Sequence, residues 1–102
     1  MKNPNRKTVS HLEELPNIGK AMAGDLRLIG IDHPKELIGK NPFELFDELC
    51  EKSGKRHAPC VIDVFISVVQ FMEGGDALPW WAFTEERKGM IVEFRRAKEI
   101  VR

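Results

Sequence analysis

Six consecutive residues between two short amphipathic stretches have the composition of a phosphate-binding turn: Leu15, Pro16, Asn17, Ile18, Gly19 and Lys20. Proline and glycine predict a tight turn, after which a helix begins. The first amide N–H groups of a helix lack intrahelical acceptors, and the helix dipole adds positive charge there. The backbone from Ile18 to Lys20, together with the Lys20 ammonium, therefore predicts a site for an oxyanion, as on a nucleic acid backbone. The alternative is a turn that only joins two helices and buries Ile18.

The charge composition limits how the chain can bind a nucleic acid. The 102 residues include 16 Lys and Arg and 16 Asp and Glu, so the formal net charge is zero. Zero net charge argues against coating nucleic acid by bulk electrostatics, and any contact must come from a local patch. The middle of the chain, residues 41–84, is acidic and the two ends are mildly basic. Lys35, Lys40 and the basic loop 52–57 are candidate auxiliary contacts.

The elements that position this turn are all predicted to be helices. Ser10 and Glu13 predict a capping box for a first helix, which Pro16 ends. Gly19 begins the second helix and Gly30 stops it, with a positive φ. We expect an all-α bundle of five or six short helices, with a flexible tail over residues 1–7 and one domain over residues 8–102.

The remaining stop and start signals place further helices. A short third helix is capped by Asp32 and buries Leu37 and Ile38, and a fourth begins at the cap Asn41. The most apolar segment, Pro59 to Met72, predicts a buried central helix, since its length exceeds that of an ordinary strand. Thr84 is expected to cap the last helix. Its apolar stripe consists of Met90, Phe94, Ala97 and Val101.

Residues 10–30 resemble the helix-hairpin-helix motif of DNA-handling proteins. The matching positions are Leu15, Pro16, Ile18, Gly19, Ala23 and Leu26. Asn17 stands where the motif often has glycine, and asparagine tolerates a left-handed φ better than most residues. The resemblance implies weak contact with a DNA phosphate that does not depend on sequence, made by Pro16, Asn17, Ile18, Gly19 and Lys20. The segment Gly30 to Gly54 is either a degenerate second unit or an unrelated connection.

A wider resemblance covers residues 9–88, which look like the small bacterial pathogenicity locus proteins, also called mitomycin-resistance proteins. The features that carry it are Leu15 to Gly19, Gly30-Ile31, the turn Leu37 to Gly39, Asn41-Pro42, an apolar helix after His57, and Pro79-Trp80-Trp81 ahead of Arg87-Lys88. The front part is also similar to the C-terminal domain of TfoX-type competence regulators. These resemblances imply a bacterial DNA-binding protein linked to DNA repair or DNA-damage resistance.

The adjacent indoles of Trp80 and Trp81 cannot both face one core. In one interpretation an exposed ring stacks on a base or contacts a protein partner. In the other, one ring closes the end of the bundle and the second packs on the last helix near Arg87 or Lys88. A protein-interaction module that uses Pro79-Trp80-Trp81 and the acidic middle is therefore the alternative function.

Other polar residues suggest no catalysis, cofactor or metal. The pair Cys50 and Cys60 has no metal-ligand spacing, and two reduced buried thiols are expected. His57 is expected to tie down the loop before the central helix. Asp63, in the apolar segment, either bonds across the bundle or lies on the helix surface. The chain start lacks an apolar core and no segment reaches membrane-spanning length, so we expect a cytoplasmic protein without a membrane partner. We also expect no enzymatic activity, because the sequence indicates neither a cleft nor a catalytic partner for Asp63.

Overall fold

Four α-helices and three short 3-10 helices make up the computed structural model, which describes the backbone of residues 1–101 and the side chains of residues 1–96. The α-helices are α1 (Lys20–Leu28), α2 (Pro42–Ser53), α3 (Cys60–Met72) and α4 (Thr84–Val101). The 3-10 helices span Leu12–Glu14, Pro34–Leu37 and Trp80–Phe83. No strand occurs in the described residues, which confirms the all-α prediction.

The prediction of five or six helices is wrong, because two of the expected helices are single 3-10 turns. The Leu12–Glu14 and Pro34–Leu37 segments contain three and four residues. Each ends in a residue with extended backbone, Leu15 (ψ 149°) and Ile38 (ψ 126°), which stops the helix before a regular i→i+4 bond can close. Ile38 is also 53% exposed, so its predicted burial is wrong.

Helix α3 forms the centre of the core. Asp63 and Ser67 are its only buried polar residues. The other buried positions on it are apolar: Ile62, Val64, Phe65, Ile66, Val68, Val69, Phe71 and Met72. A helix that is buried on nearly every side reads as a continuous apolar run, as the sequence predicted. Helices α2 and α4 and the second and third 3-10 helices contact α3, whereas α1 packs on α2 and on the first 3-10 helix.

Two helix starts use different caps from those expected. Glu14, not Glu13, accepts from the N–H of Ser10 (3.2 Å), because the Glu13 carboxylate is bonded to Arg27 (2.9 Å). His33, not Asp32, is the N-cap of the second 3-10 helix. Asn41 caps α2 as predicted.

The buried carboxylate of Asp63 joins α3 to the start of α4. It is fully buried, and it accepts from the Thr84 hydroxyl (2.8 Å) and the Arg87 Nε–H (2.8 Å). Thr84 therefore uses its hydroxyl as a bridge and not as the predicted helix cap. Of the two interpretations of Asp63, the bond across the bundle is confirmed.

The apolar stripe of α4 is described as far as Phe94. Phe94 stacks on Phe43 of α2 with ring centroids 5.3 Å apart, whereas Met90 is 41% exposed. The side chains of Ala97 and Val101 lie outside the described residues.

Replacing Asp63 tests whether the buried ion pair fixes α4. Asp63→Ala leaves the Arg87 guanidinium, 13% exposed, without its anion, and we expect a loss of about 3 kcal/mol of unfolding free energy in urea denaturation. Thr84→Val removes one hydroxyl and should cost about 1 kcal/mol. Equal stability of Asp63→Ala and the native chain would contradict a structural role for this pair.

Candidate functional site

The predicted phosphate-binding turn forms a tight reversal directly before α1. The Ile18 N–H donates to the Leu15 carbonyl (3.2 Å), and Asn17 between them has a φ of 67°. Gly19 is the N-cap of α1, with an extended backbone at φ −100° and ψ −169°. We call residues 15–20 the first turn.

Burial divides the five predicted site residues into two groups. Pro16 and Ile18 are buried, so their side chains shape the first turn from below and cannot contact a ligand. Asn17 is half-buried, whereas Gly19 and Lys20 are exposed. The atoms available to a ligand are therefore backbone N–H groups and the Lys20 ammonium.

The N–H groups at the start of α1 are open to solvent. Among the described residues, no carbonyl or side chain accepts from the N–H of Gly19 or Lys20. A Cβ added at Gly19 would meet no atom within 4 Å. Because an unpaired N–H at a helix start attracts an anion, the first turn leaves room for an oxyanion at close range.

The side chain of Asn17 points into the molecule and fixes the first turn in place. Its Nδ2 amide donates to the Ser67 hydroxyl of α3 (3.0 Å) and to the Leu78 carbonyl (2.8 Å). Ser67 in turn donates to the Val64 carbonyl (2.6 Å). A glycine at this position, which the helix-hairpin-helix pattern often has, would keep the left-handed φ but make neither of the two bonds of the Asn17 amide.

A second cation, which the sequence analysis did not assign to the site, lies against the first turn. The Lys2 ammonium donates to the carbonyls of Glu13 (2.6 Å) and Ile18. Arg6 bonds to the Gly75 carbonyl (2.6 Å) with its guanidinium carbon 4.9 Å from the Phe71 ring centroid. No spacing in the sequence points to these long-range contacts, and mobility of residues 1–7 stays a prediction.

The carboxylate beside the first turn is neutralised by an arginine. Arg27 donates to both oxygens of Glu13, at 2.9 Å each. This hydrogen bonding holds the pKa of Glu13 at about 2, below its ordinary value of 4.5. The pair removes the repulsion that a single carboxylate near the turn would exert on an anion.

The local structure around the first turn recurs 22 residues later in the chain, so that Glu36 corresponds to Glu14. Glu14 accepts from the backbone N–H groups of residues 10–11 (3.2 and 2.8 Å). Glu36 accepts in the same way from residues 32–33 (2.7 and 2.8 Å). These bonds lower the pKa of both glutamates.

The repeat extends into a second turn, residues 37–42. The Lys40 N–H donates to the Leu37 carbonyl (3.1 Å), and Gly39 has a φ of 81° at the position that corresponds to Asn17. Asn41 is then the N-cap of α2, as Gly19 is of α1. The two turns thus have the same hydrogen bond and the same left-handed residue two positions before a helix cap.

Unlike the first turn, the second turn is occupied by the protein itself. The Asn41 side-chain oxygen accepts from the N–H groups of Phe43 (2.8 Å) and Glu44 (3.4 Å). The Glu73 carboxylate accepts from the N–H of Gly39 (2.9 Å). An internal carboxylate and an amide therefore occupy the N–H groups that correspond to those of Asn17, Ala21 and Met22. At the position of Lys20 the second turn has Pro42, which offers no N–H.

The auxiliary cations proposed from sequence lie elsewhere. Lys35 is exposed beside the second turn, and Lys40 is exposed within it. In the loop 52–57, the Ser53 hydroxyl and His57 Nε2 are 2.8 Å apart, so His57 ties the loop to the end of α2 as expected. Among the described side chains, no hydrogen bond or ion pair joins this loop to the first turn.

Trp81 is the exposed indole of the pair, at 63%, whereas Trp80 is half-buried and packs against the core. The two rings meet edge to face, with centroids 5.6 Å apart and an angle of 83°. Trp81 is therefore the ring that a ligand or a partner could reach, whereas packing of the second ring on the last helix near Arg87 or Lys88 stays a prediction.

No group of three His, Cys, Asp or Glu side chains within the described residues is arranged to hold a metal ion. Cys50 and Cys60 are half-buried and form no disulfide. None of the described helices is both long and apolar enough to cross a membrane.

Comparison with known proteins assigns the chain to a family. A family model described as Pathogenicity locus (Cdd1) matches residues 5–89. The mitomycin resistance protein McrB of Streptomyces lavendulae is 37% identical over 82 residues, which cover 80% of this chain and 78% of that protein. No solved structure gives a significant match. This helical protein belongs to the pathogenicity locus family, as the sequence resemblance indicated. The similarity to TfoX-type regulators stays a prediction.

Lowering the pH tests the ion pair beside the first turn. In the unfolded chain Glu13 takes up its proton near the ordinary value of 4.5, and in the folded protein only near pH 2. The pair's contribution to stability is therefore complete above the ordinary value and is lost as the pH falls from 4.5 to 2.

The measurement compares Glu13→Gln with the native chain by urea denaturation across this pH range. The difference in unfolding free energy should shrink toward pH 2. An NMR titration in which the Glu13 carboxyl protonates near 4.5 would contradict the pairing with Arg27.

Proposed function

We propose that this protein binds the sugar–phosphate backbone of DNA through the first turn, weakly and without reading base sequence. In this proposal the first turn works as a helix-hairpin-helix, in which the N–H groups of Gly19 and Lys20 hold one phosphate. The observation that carries the proposal is the open start of α1, where those N–H groups have no acceptor and a Cβ at Gly19 would meet nothing. Lys2 and Lys20 supply the positive charge.

The number of charges sets the expected strength of binding. Non-specific DNA affinities are roughly 10⁻⁴ to 10⁻⁶ M in Kd at physiological salt, and two lysines correspond to the weak end. The logarithm of the binding constant should fall with the logarithm of salt concentration with a slope of about −2. Neutral net charge agrees with a protein that positions itself on DNA by one local contact.

The cellular role we propose is DNA repair or resistance to DNA damage. Its support is the similarity to a protein named for mitomycin resistance. The role consists of binding without catalysis, because backbone N–H donors and an ammonium hold an anion but activate no nucleophile. A cytoplasmic location, one domain over residues 8–102 and the absence of a membrane partner belong to the same proposal.

A protein-interaction module is the second candidate function. The exposure of Trp81 favours it, since an exposed indole is a common anchor at protein interfaces. Such a module would use Pro79-Trp80-Trp81 and the acidic residues between 41 and 84. A pull-down partner that is lost on Trp81→Ala, from a protein that binds no DNA, would select this function.

Two substitutions in the first turn test DNA binding without disturbing the fold. Gly19→Ala adds a methyl group where a phosphate would approach, yet its φ and ψ suit any residue and no protein atom lies within 4 Å. We expect several-fold weaker binding to a 20-base-pair duplex in fluorescence anisotropy. Lys20→Glu should weaken binding about tenfold and make the salt slope shallower by about 1.

Two matched control variants distinguish a change at the first turn from a general change in helix stability or in net charge. Gly24→Ala adds the same methyl group to an open position of α1, and it should raise the unfolding free energy by about 0.5–1 kcal/mol without changing DNA affinity. Lys88→Glu makes the same charge change at an exposed lysine of α4. Equal affinities for the native chain, Gly19→Ala and Lys20→Glu would overturn the proposed function.

Opening the second turn should create a second phosphate contact. The double substitution Asn41→Gly and Glu73→Ala removes the side-chain oxygens that occupy its N–H groups. Replacing an N-cap asparagine by glycine costs only a few tenths of a kcal/mol, so the fold should persist. We expect several-fold tighter duplex binding in the same anisotropy assay, and an unchanged affinity would contradict the equivalence of the two turns.

A further inference from the structure

We propose that Trp81 stacks on an unpaired nucleobase next to the phosphate held by the first turn, so that the ligand is single-stranded or locally unpaired DNA. This inference rests on the proposed function and specifies its substrate class. The chemistry is stacking of an indole on a base, which every base permits and which carries no sequence preference.

The first observation is the physical link between the turn and the indole. Asn17, within the turn, donates to the carbonyl of Leu78 (2.8 Å), and Trp81 follows three residues later. Three residues span at most about 11 Å. The Asn17–Leu78 hydrogen bond therefore ties the segment that carries Trp81 directly to the first turn.

The second observation is how the indole is presented. Trp81 is 63% exposed although it follows directly on Trp80, which is half-buried and packs against the core. The edge of one ring meets the face of the other at 83°, so Trp80 braces Trp81. A braced ring loses less rotational freedom when a ligand stacks on it, which favours binding.

The third consideration is which interactions provide the binding free energy. One phosphate and two lysines give little binding energy to a protein of zero net charge. Stacking on one base adds a contribution that salt does not screen. In an intact duplex the faces of the bases are already stacked on each other, so only an unpaired base offers this contact.

The test compares a 20-nucleotide oligothymidine with a blunt 20-base-pair duplex in fluorescence anisotropy titrations. Trp81→Ala should bind the single strand about tenfold more weakly than the native chain does, with unchanged duplex affinity. Trp81→Phe keeps an aromatic face and should recover most of the loss. Since the ring is exposed, circular dichroism should show the same fold for all three proteins.

A second variant tests whether the turn positions the indole. Asn17→Gly keeps the left-handed φ but releases the Leu78 carbonyl. We expect it to lower the ratio of single-strand to duplex affinity. In a Trp80→Phe background, the fluorescence of Trp81 should also be quenched by the oligothymidine.

The outcomes distinguish the two claims. If the native chain binds duplex in a Gly19-dependent way but Trp81→Ala binds the single strand as tightly as the native chain, base stacking is wrong and the proposed function stands. In that case the exposed indole serves a protein partner. If the native chain binds neither form, the proposed function fails and this inference fails with it.

Discussion

The conformation of Asn17 is the constraint on which the rest of the site depends. Its left-handed backbone reverses the chain before α1, and its side-chain amide bonds to Ser67 and to the Leu78 carbonyl. One residue therefore aims the start of α1 at solvent, anchors the turn on the central helix and holds the segment that leads to Trp81. A short polar side chain that tolerates a positive φ meets all three requirements, and glycine meets only the first.

The two turns have the same backbone conformation, but they differ in whether their N–H groups are free or bonded within the protein. The first turn leaves its N–H groups open, with glycine as the helix cap. The second turn satisfies its own N–H groups through Asn41 and Glu73. The cap residue decides the difference at the first amides of the helix, because a glycine cap has no side chain to occupy them and an asparagine cap does. Glu73 adds the contact at Gly39. A repeated structural unit thus supplies both the candidate ligand site and a stable helix start.

The sequence predicted the elements that depend on local signals. Gly19 and Asn41 begin helices, Gly30 has a positive φ, and the apolar run after Pro59 is the central helix. These follow from backbone preferences and hydrophobic periodicity, which act over a few residues. The first two 3-10 helices were predicted as longer helices, because the pattern of apolar residues does not tell one turn from two.

Contacts between distant residues could not be predicted in the same way. The bonds from Lys2 to Ile18, from Asn17 to Leu78 and from Glu73 to Gly39 join residues that no periodic pattern connects. They determine which turn is open and what surrounds it. The position of the candidate site was therefore proposed from sequence, whereas its exposure and its neighbours required the fold.

The most direct measurement is an NMR titration of the ¹⁵N-labelled protein with a short DNA duplex at low salt. The account predicts that the amide signals of Gly19, Lys20 and Ala21 shift first, with a common binding constant, and that added salt reverses the shifts. The amides of Phe43 and Glu44 should stay in place, since Asn41 occupies them. Shifts confined to α4, or no shift at Gly19 and Lys20 at saturating DNA, would contradict it.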